Sequence, residues 1–391
     1  MGHTESLLQI FWIYFRLGCI CFGGPVAHLG YYKEEFINRR QWLSESRFAE
    51  LLNLCQFIPG PSSSQLGFCV GWHRAGLAGA CVAWLGFTLP SVLLMIGFAY
   101  GLQAFEAEAE PVIRGLLVAA VAVVGKAVLD LGRKLCPDPG RVLLATVCAT
   151  AIVLLPGIYM QIASILCGGL FGNLFYRKTI ADGHFEPVQA KGSHRFALTA
   201  LSIFAGLLLL SLLTPPAAPG GLYALHYRAG ALVFGGGHVV LPLLSDSVVG
   251  GGLLSNANFL AGYSAAQAVP GPLFTFSAFI GTAASPFHPH WLSGLLAVLA
   301  IFLPGILLVL ALVPYWDRIR HRLWARAGLL GANAAVVGLL LAAFINPVFR
   351  HGIHNWIDAC LAALAFVGLY KLKLPPWSIV LGCGLVGSLI Y

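Results

Sequence analysis

Apolar residues occur along this chain in long unbroken runs. A run of about 20 such residues crosses a bilayer as one helix. The first set of runs covers residues 6–30 (segment a), 47–73 (b), 77–101 (c), 112–132 (d), 141–157 (e) and 158–176 (f). A polar linker at 177–195 carries Arg177, Lys178, Lys191 and Arg195, and an extra run, x, spans 196–213. The second set covers 222–245 (a′), 257–283 (b′), 291–315 (c′), 327–347 (d′), 353–370 (e′) and 375–391 (f′). The pattern predicts an all-α polytopic membrane protein.

The primes mark an internal repeat. Phe15-Arg16-Leu17-Gly18 recurs as Tyr227-Arg228-Ala229-Gly230, and Phe22-Gly23-Gly24 recurs as Phe234-Gly235-Gly236. Gln56-x-x-Pro59-Gly60-Pro61 recurs as Gln267-x-x-Pro270-Gly271-Pro272, and Leu89-Pro90 as Leu303-Pro304. The run 115–125 matches 328–338. Every match falls at an offset of 211 to 214 residues, which chance would scatter. The expected organisation is a first repeat over 1–176, a basic linker and extra helix over 177–221, and a second repeat over 222–391.

Composition narrows the class. The chain has 391 residues, of which 58% are hydrophobic and 10% charged; mean hydropathy is +0.83. A soluble domain carries roughly 25% charged residues. This excludes a cytosolic enzyme, a nucleic-acid binder and a disordered chain. Of the ten cysteines only Cys136 sits in a polar connection, and no CxxC pair occurs, so they read as small buried hydrophobes. The first run lacks a small-residue cleavage signature and is expected to stay in the mature protein.

The net charge of +8 has an address. Arg133, Lys134 and Arg141 lie in the d–e connection, Arg318, Arg320, Arg322 and Arg326 in c′–d′, and Lys371 and Lys373 in e′–f′. Glu106, Glu108 and Glu110 lie in c–d. The positive-inside rule places the basic set in the cytoplasm, with the N-terminus, and the acidic stretch outside. Segments c and c′ then run in opposite directions, with x supplying the parity change. Two inverted-topology repeats follow, an architecture many secondary transporters use. Segments a, b, a′ and b′ each carry a Gly or Pro breaker halfway. If each spans once, the chain crosses thirteen times. If each is re-entrant, nine spans remain, and the basic a–b connection (Lys33, Arg39, Arg40, Arg47) lies inside with the rest.

Broken backbone at membrane depth is tolerated only within protein or along a wet cavity. Four breaks paired by inverted symmetry are expected to meet near the midplane and form the substrate site. After Pro59-Gly60-Pro61 a half-helix can start, with Pro61 at its first position and Ser62, Ser63, Ser64 in its first turn. Free N–H groups and the positive dipole end attract an anion there. The matching turn after Gly271 carries Thr275. Gly23, Gly24, Gly235 and Gly236 allow close approach of further N–H groups, and no carboxylate lies in the broken stretches. An anion site is therefore expected, and a metal site is not.

Further candidates are Gln56 and Gln267 beside the breaks, Asn53 one turn from Gln56, and His28 and His238 flanking the glycine turns. Arg16 and Arg228 are matched arginines inside apolar runs; each reads as a dianion ligand or as a side chain snorkelling to the headgroups. Lys126 and Asp130 share a helix face and read as a self-neutralising pair or a substrate-path cation. Glu50 marks a membrane edge or a proton relay. Asn333 needs a partner, a helix or substrate. The pairs His288/His290 and His351/His354 read as external surface residues. An intramembrane enzyme is disfavoured, since neither GxSxG nor HExxH occurs.

In combination, FGGP-x-x-H at 22–28, Q-x-x-PGP at 56–61 and their second copies resemble the chromate ion transporter family in its long, two-domain form. The resemblance runs from about residue 8 to 391. It implies an inner-membrane, multi-pass protein that exports chromate and confers resistance, with sulfate as the structural analogue. No cofactor, metal or nucleic acid is implied; the bilayer is the surrounding partner, and a homodimer is compatible with this reading. An anion channel of similar architecture is the alternative. The second copy departs from the first: it reads FGGGH, with Gly237 in place of Pro25. The two halves are therefore not expected to supply identical ligands.

Overall fold

The computed structural model describes residues 6–178, 194–216, 218, 220–234, 236–285 and 287–391. Gly235 and most of the 177–195 linker, Lys191 included, lie outside the described residues, as do the side chains of Glu106 and Glu108. The described residues form helices α1 (Leu7–Ile20), α2 (Gly24–Lys33), α3 (Glu45–Phe57), α4 (Ser62–Ala104), α5 (Glu106–Leu135), α6 (Pro139–Leu154), α7 (Ile158–Tyr176) and α8 (His194–Leu213). The second repeat gives α9 (Gly221–Leu232), α10 (Val240–Val248), α11 (Asn256–Ala268), α12 (Phe276–Ala283), α13 (His290–Leu312), α14 (Trp316–Ile319), α15 (Leu323–Ala343), α16 (Arg350–Gly352), α17 (Trp356–Tyr370) and α18 (Pro376–Ile390). Six helical stretches are long and apolar enough to cross a membrane, and α6, α17 and α18 are shorter apolar helices.

Matched local signals start matched helices. Ser44 caps α3 by accepting from the Arg47 N–H. Ser255, 211 residues later, caps α11 by accepting from the Asn258 N–H. Each hydroxyl satisfies one of the orphan donors of a first turn.

The broken segments fold back on themselves. Cys55 Sγ and Cys69 Sγ lie 4.0 Å apart, whereas 14 residues of straight helix would separate them by roughly 21 Å. Tyr14 reaches back to Tyr32, with ring centroids 6.1 Å apart. Phe259 meets Phe276 at 5.1 Å. A β-carbon on Gly251, just beyond α10, would lie 4.0 Å from Pro216 Cβ, just before α9. The pairs α1–α2, α3 with the first arm of α4, α9–α10 and α11–α12 are therefore four re-entrant hairpins. Outside them, nine apolar helical stretches remain among the described residues: the second arm of α4, α5, α7, α8, α13 and α15, and the shorter α6, α17 and α18.

Segments b and c differ from the sequence expectation in being joined without a loop. Helix α4 doubles back at Ala75 (φ −142°, ψ 33°) and Gly76 (φ 63°, ψ −158°). Its arms touch so closely that a β-carbon on Gly71 would lie 2.6 Å from the Gly79 carbonyl oxygen. The second repeat uses a loop between α12 and α13 instead, and three extra residues there raise the offset from 211 to 214. The acidic c–d stretch also differs: it is the first turn of α5, because Glu and Ala are good helix formers.

The repeats interlock. Helix α5 packs on α17 and α18 of the other half, and α15 packs on α6 and α7. Small residues bring these backbones together. Gly331 faces Gly168 and Gly172 across the α7–α15 seam, and Gly115 faces Cys383 and Gly387 across α5–α18. The direction of each hairpin pair is set by its neighbours. Glu50 of α3 pairs with Arg320 of the c′–d′ connection at 3.2 Å, beside Lys134 at the end of α5. Ala257 of α11 lies with Glu110 near the other end of α5, beside Arg114, His351 and His354. The two ends are roughly 36 Å apart along the helix. The first-repeat hairpins thus open at the basic face and the second-repeat hairpins at the opposite face, which is inverted topology.

Two polar contacts fix the basic face. Arg133 Nη1 donates to Tyr370 Oη at 2.9 Å, joining the d–e and e′–f′ connections. In the d–e connection, partial desolvation pushes the Asp138 carboxyl up, but bonds from the Tyr176 hydroxyl and from the Arg141 backbone and side chain outweigh it and lower it to about 2.

Candidate oxyanion site

The four breaks meet in pairs across the repeats. The Gly60 N–H donates to the Val233 carbonyl at 2.8 Å, and the Gly271 N–H donates to the Cys21 carbonyl at 2.8 Å. Each proline-flanked glycine of one half closes against the glycine-rich break of the other. Both glycines have positive φ, 125° at Gly60 and 98° at Gly271, a region that side chains rarely tolerate. These two N–H groups are engaged and are not free for a ligand. Pro61 is the residue before α4 rather than its first helical position. The unpaired N–H groups of the first turn, at Ser62 to Ser64, remain the donors of that helix end.

Gly60→Ala should lower transport and stability together. Its β-carbon would meet Gln65 Nε2 at 2.5 Å, and the backbone would be strained by about 1–3 kcal/mol. Vesicle transport normalised to folded protein, alongside thermal unfolding in detergent, checks this; wild-type values in both would exclude it.

A cavity of about 930 Å³ lies against three of the four breaks. Gly23, Asn53, Gln56, Gly60 and Ser62 line it from the first repeat, and Gly236, Gly237, His238 and Asn333 from the second. Lys126 and Asp130 form its α5 wall, and Lys134, Glu50, Arg320 and Arg326 surround it toward the basic face. Four fixed cations thus stand against two carboxylates. Lys126 Nζ donates to Asp130 Oδ2 within the wall. His238 Nδ1 lies 2.9 Å from the Tyr263 hydroxyl. Asn333 Oδ1 is buried without a hydrogen-bond partner. Amides, a hydroxyl, an ammonium and glycine backbone converge here, a donor set suited to an oxyanion. No group of three or more metal-ligating side chains occurs among the described residues.

Other predicted residues lie elsewhere. Gly24, His28, Ser63, Ser64, Gln267, Gly271, Thr275, Arg16 and Arg228 are not among the lining residues. Ser63 is buried, with its hydroxyl 3.2 Å from His28 Nδ1. The Thr275 hydroxyl donates back to the Pro272 carbonyl at 2.8 Å. Gln267 Nε2 is buried without a partner. Arg16 donates to Glu35 at 2.9 Å, where Arg39 and Arg40 also converge. Arg228 is buried, and its Nε and Nη2 have no partner. Sequence reasoning used Lys134, Arg320 and Arg326 only for orientation and missed them as cavity residues. Their local sequence carries no such signal, because the c′–d′ connection reaches the cavity only once the halves interlock. Gln65 was also missed: its Nε2 donates to the Pro59 carbonyl at 2.8 Å and so ties down the first break.

Comparison with known proteins gives the family. A family model described as "Chromate transporter" matches residues 8–173 and 221–388. A probable chromate transport protein of Synechococcus elongatus is 28% identical over 99% of this chain and 96% of that protein. The chromate transport protein of Pseudomonas aeruginosa is 26% identical, covering 99% of this chain and 93% of that one, and that of Cupriavidus metallidurans is 27% identical over 99% and 94%. No solved structure matches. Matched by the family model in both halves, the chain belongs to the chromate transporter family.

Proposed function

We propose that this protein exports chromate across the inner membrane by alternating access and so confers resistance to it. The observation that carries this reading is the cavity lined by Lys126, Lys134, Arg320 and Arg326 and by three of the four helix breaks. In this reading the basic face and the N-terminus are cytoplasmic, and the structure is inward-open. The oxyanion is held by Lys126, Asn333, Gln56, the Ser62 hydroxyl, His238 and the N–H groups at Gly236 and Gly237. Sulfate, also a tetrahedral dianion, competes for the same donors. Export is favoured by the membrane potential: a dianion leaving a negative-inside cell gains about 4.6 kcal/mol at 100 mV.

The test is uptake of labelled chromate into inside-out vesicles, with and without an imposed potential and with sulfate as competitor. Saturable uptake with counterflow, stimulated by a vesicle-interior-positive potential, is expected. Uptake that fails to saturate and shows no counterflow would favour a channel instead.

A further inference from the structure

The repeat symmetry is broken at one seam. In the first repeat, Ser46, Glu50, Asn53 and Gln56 of α3 line the cavity, and so do Leu329 and Asn333 of α15. At the repeat offset, the mates of the α3 residues are Ala257, Ala261, Ser264 and Gln267 of α11, and those of the α15 residues are Leu116 and Ala120 of α5. These mates are closed on one another. Helix α11 packs on α5, and the Ser264 hydroxyl donates to the Leu116 carbonyl at 2.7 Å. Asn53 is exposed to the cavity, whereas Ser264 and Ala261 are buried. Gly271, at the break that follows α11, does not line the cavity either.

The closed seam runs between two open spaces. At its outer end Ala257, Ile113 and Leu117 line a second cavity of about 440 Å³, with Glu110, Arg114, His351 and His354. At its inner end the buried Tyr263 hydroxyl lies 2.9 Å from Nδ1 of His238, a residue of the first cavity, and Gln267 follows one turn later. From Ala257 to Gln267 is about 15 Å along the helix, the same span that stands open between Ser46 and Gln56.

Charge does not follow the symmetry. Lys126, Lys134 and Arg326 line the first cavity, but their mates are Leu339, Pro347 and Ile113. Ser62 is matched by Leu273. Arg114, at the outer end, shares its cavity with Glu110 and lies over the Tyr391 ring at 4.2 Å. The polar groups left along the seam are the Ser264 hydroxyl and the Gln267 amide.

Resting on the oxyanion reading of the first cavity, we propose that the anion leaves along the α11–α5 seam, where Ser264 and Gln267 become its ligands in place of Asn53 and Gln56 and hold it through uncharged donors. Opening the seam breaks the Ser264–Leu116 hydrogen bond, and the first cavity closes as one repeat rocks against the other. An anion gathered by fixed cations at the basic face is then released from a half that has none to spare.

Cysteine labelling tests this on the full-length protein in membrane vesicles. The modified peptide is read by mass spectrometry, so that native thiols do not interfere. In right-side-out vesicles Ser264→Cys should react with an impermeant methanethiosulfonate added outside, and the label should cut efflux of preloaded chromate at least about tenfold. Ala261→Cys repeats the test if S264C folds poorly. Ala266→Cys, about 200° round α11 from Ser264, should stay unlabelled. Asn53→Cys, probed in inside-out vesicles, should favour an anionic over a cationic reagent at least about fivefold more than S264C does, because fixed cations concentrate anions. No label at 264 and 261 in protein that exports chromate overturns the route, and so does label at 266 as fast as at 264. Equal reagent preference at 53 and 264 overturns the uncharged exit. Absence of chromate efflux from wild type overturns the oxyanion site itself, and it is distinguishable because labelling needs no chromate.

Discussion

Lys126→Met should lower chromate transport roughly 10- to 150-fold, because a hydrogen bond to a charged group is worth about 1.5–3 kcal/mol. Lys126 lines the cavity together with Gln56, Ser62 and His238. Removing it takes away the ammonium of the α5 wall and leaves Asp130 there without its Lys126 partner, so attraction for an anion weakens. The double variant K126M/D130N separates the two contributions. It should recover part of the loss, since the uncompensated carboxylate is gone. Initial rates in inside-out vesicles, normalised to inserted protein, measure both variants. Transport unchanged in K126M would move the anion path away from α5.

The largest effect on the fold is expected at Gly331. A β-carbon there would lie 1.9 Å from the Gly168 carbonyl oxygen and 2.7 Å from the Gly172 nitrogen. Neither neighbour is a side chain that can swing away, so α7 and α15 would have to separate along the seam that ties the two repeats. Gly331→Ala should cost about 3 kcal/mol. Gly97→Ala is the control, because a β-carbon there meets nothing within 4 Å; it should leave stability unchanged or raise it slightly. The fraction of monodisperse protein after heating in detergent reads both. If G331A behaved as G97A does, close backbone approach would not be what holds the halves together.

The sequence made the repeat legible because duplicated chemistry survives as matched motifs at one offset. It also made the breaks legible, because Gly and Pro act locally on backbone geometry. Whether each broken segment crosses the bilayer or returns was not legible. Hydropathy counts residues and cannot see that Cys55 touches Cys69. At the site, Gln56, Gly60, Ser62, Gly236 and His238 were found from their position at breaks, and all of them line the cavity. Arg16 was singled out as a charge inside an apolar run. The structure gives that charge to Glu35, 19 residues on, through the fold-back of α2. Lys126 and Asp130 were visible as a pair, but on one helix nothing distinguishes a stabilising pair from a cavity wall.

The sequence by itself determined the class, the duplication, the four breaks and the sorting of positive charge to one face. Each depends on residue type and on short-range spacing, which the chain carries wherever it goes. Only the tertiary structure decided that the hairpins re-enter and that Gly60 closes on Val233 while Gly271 closes on Cys21. It alone gathered Lys126, His238, Asn333 and Arg320 around one cavity. Those facts join segments as much as about 270 residues apart. Such contacts arise from how interlocked helices exclude one another's backbones, which no local pattern encodes.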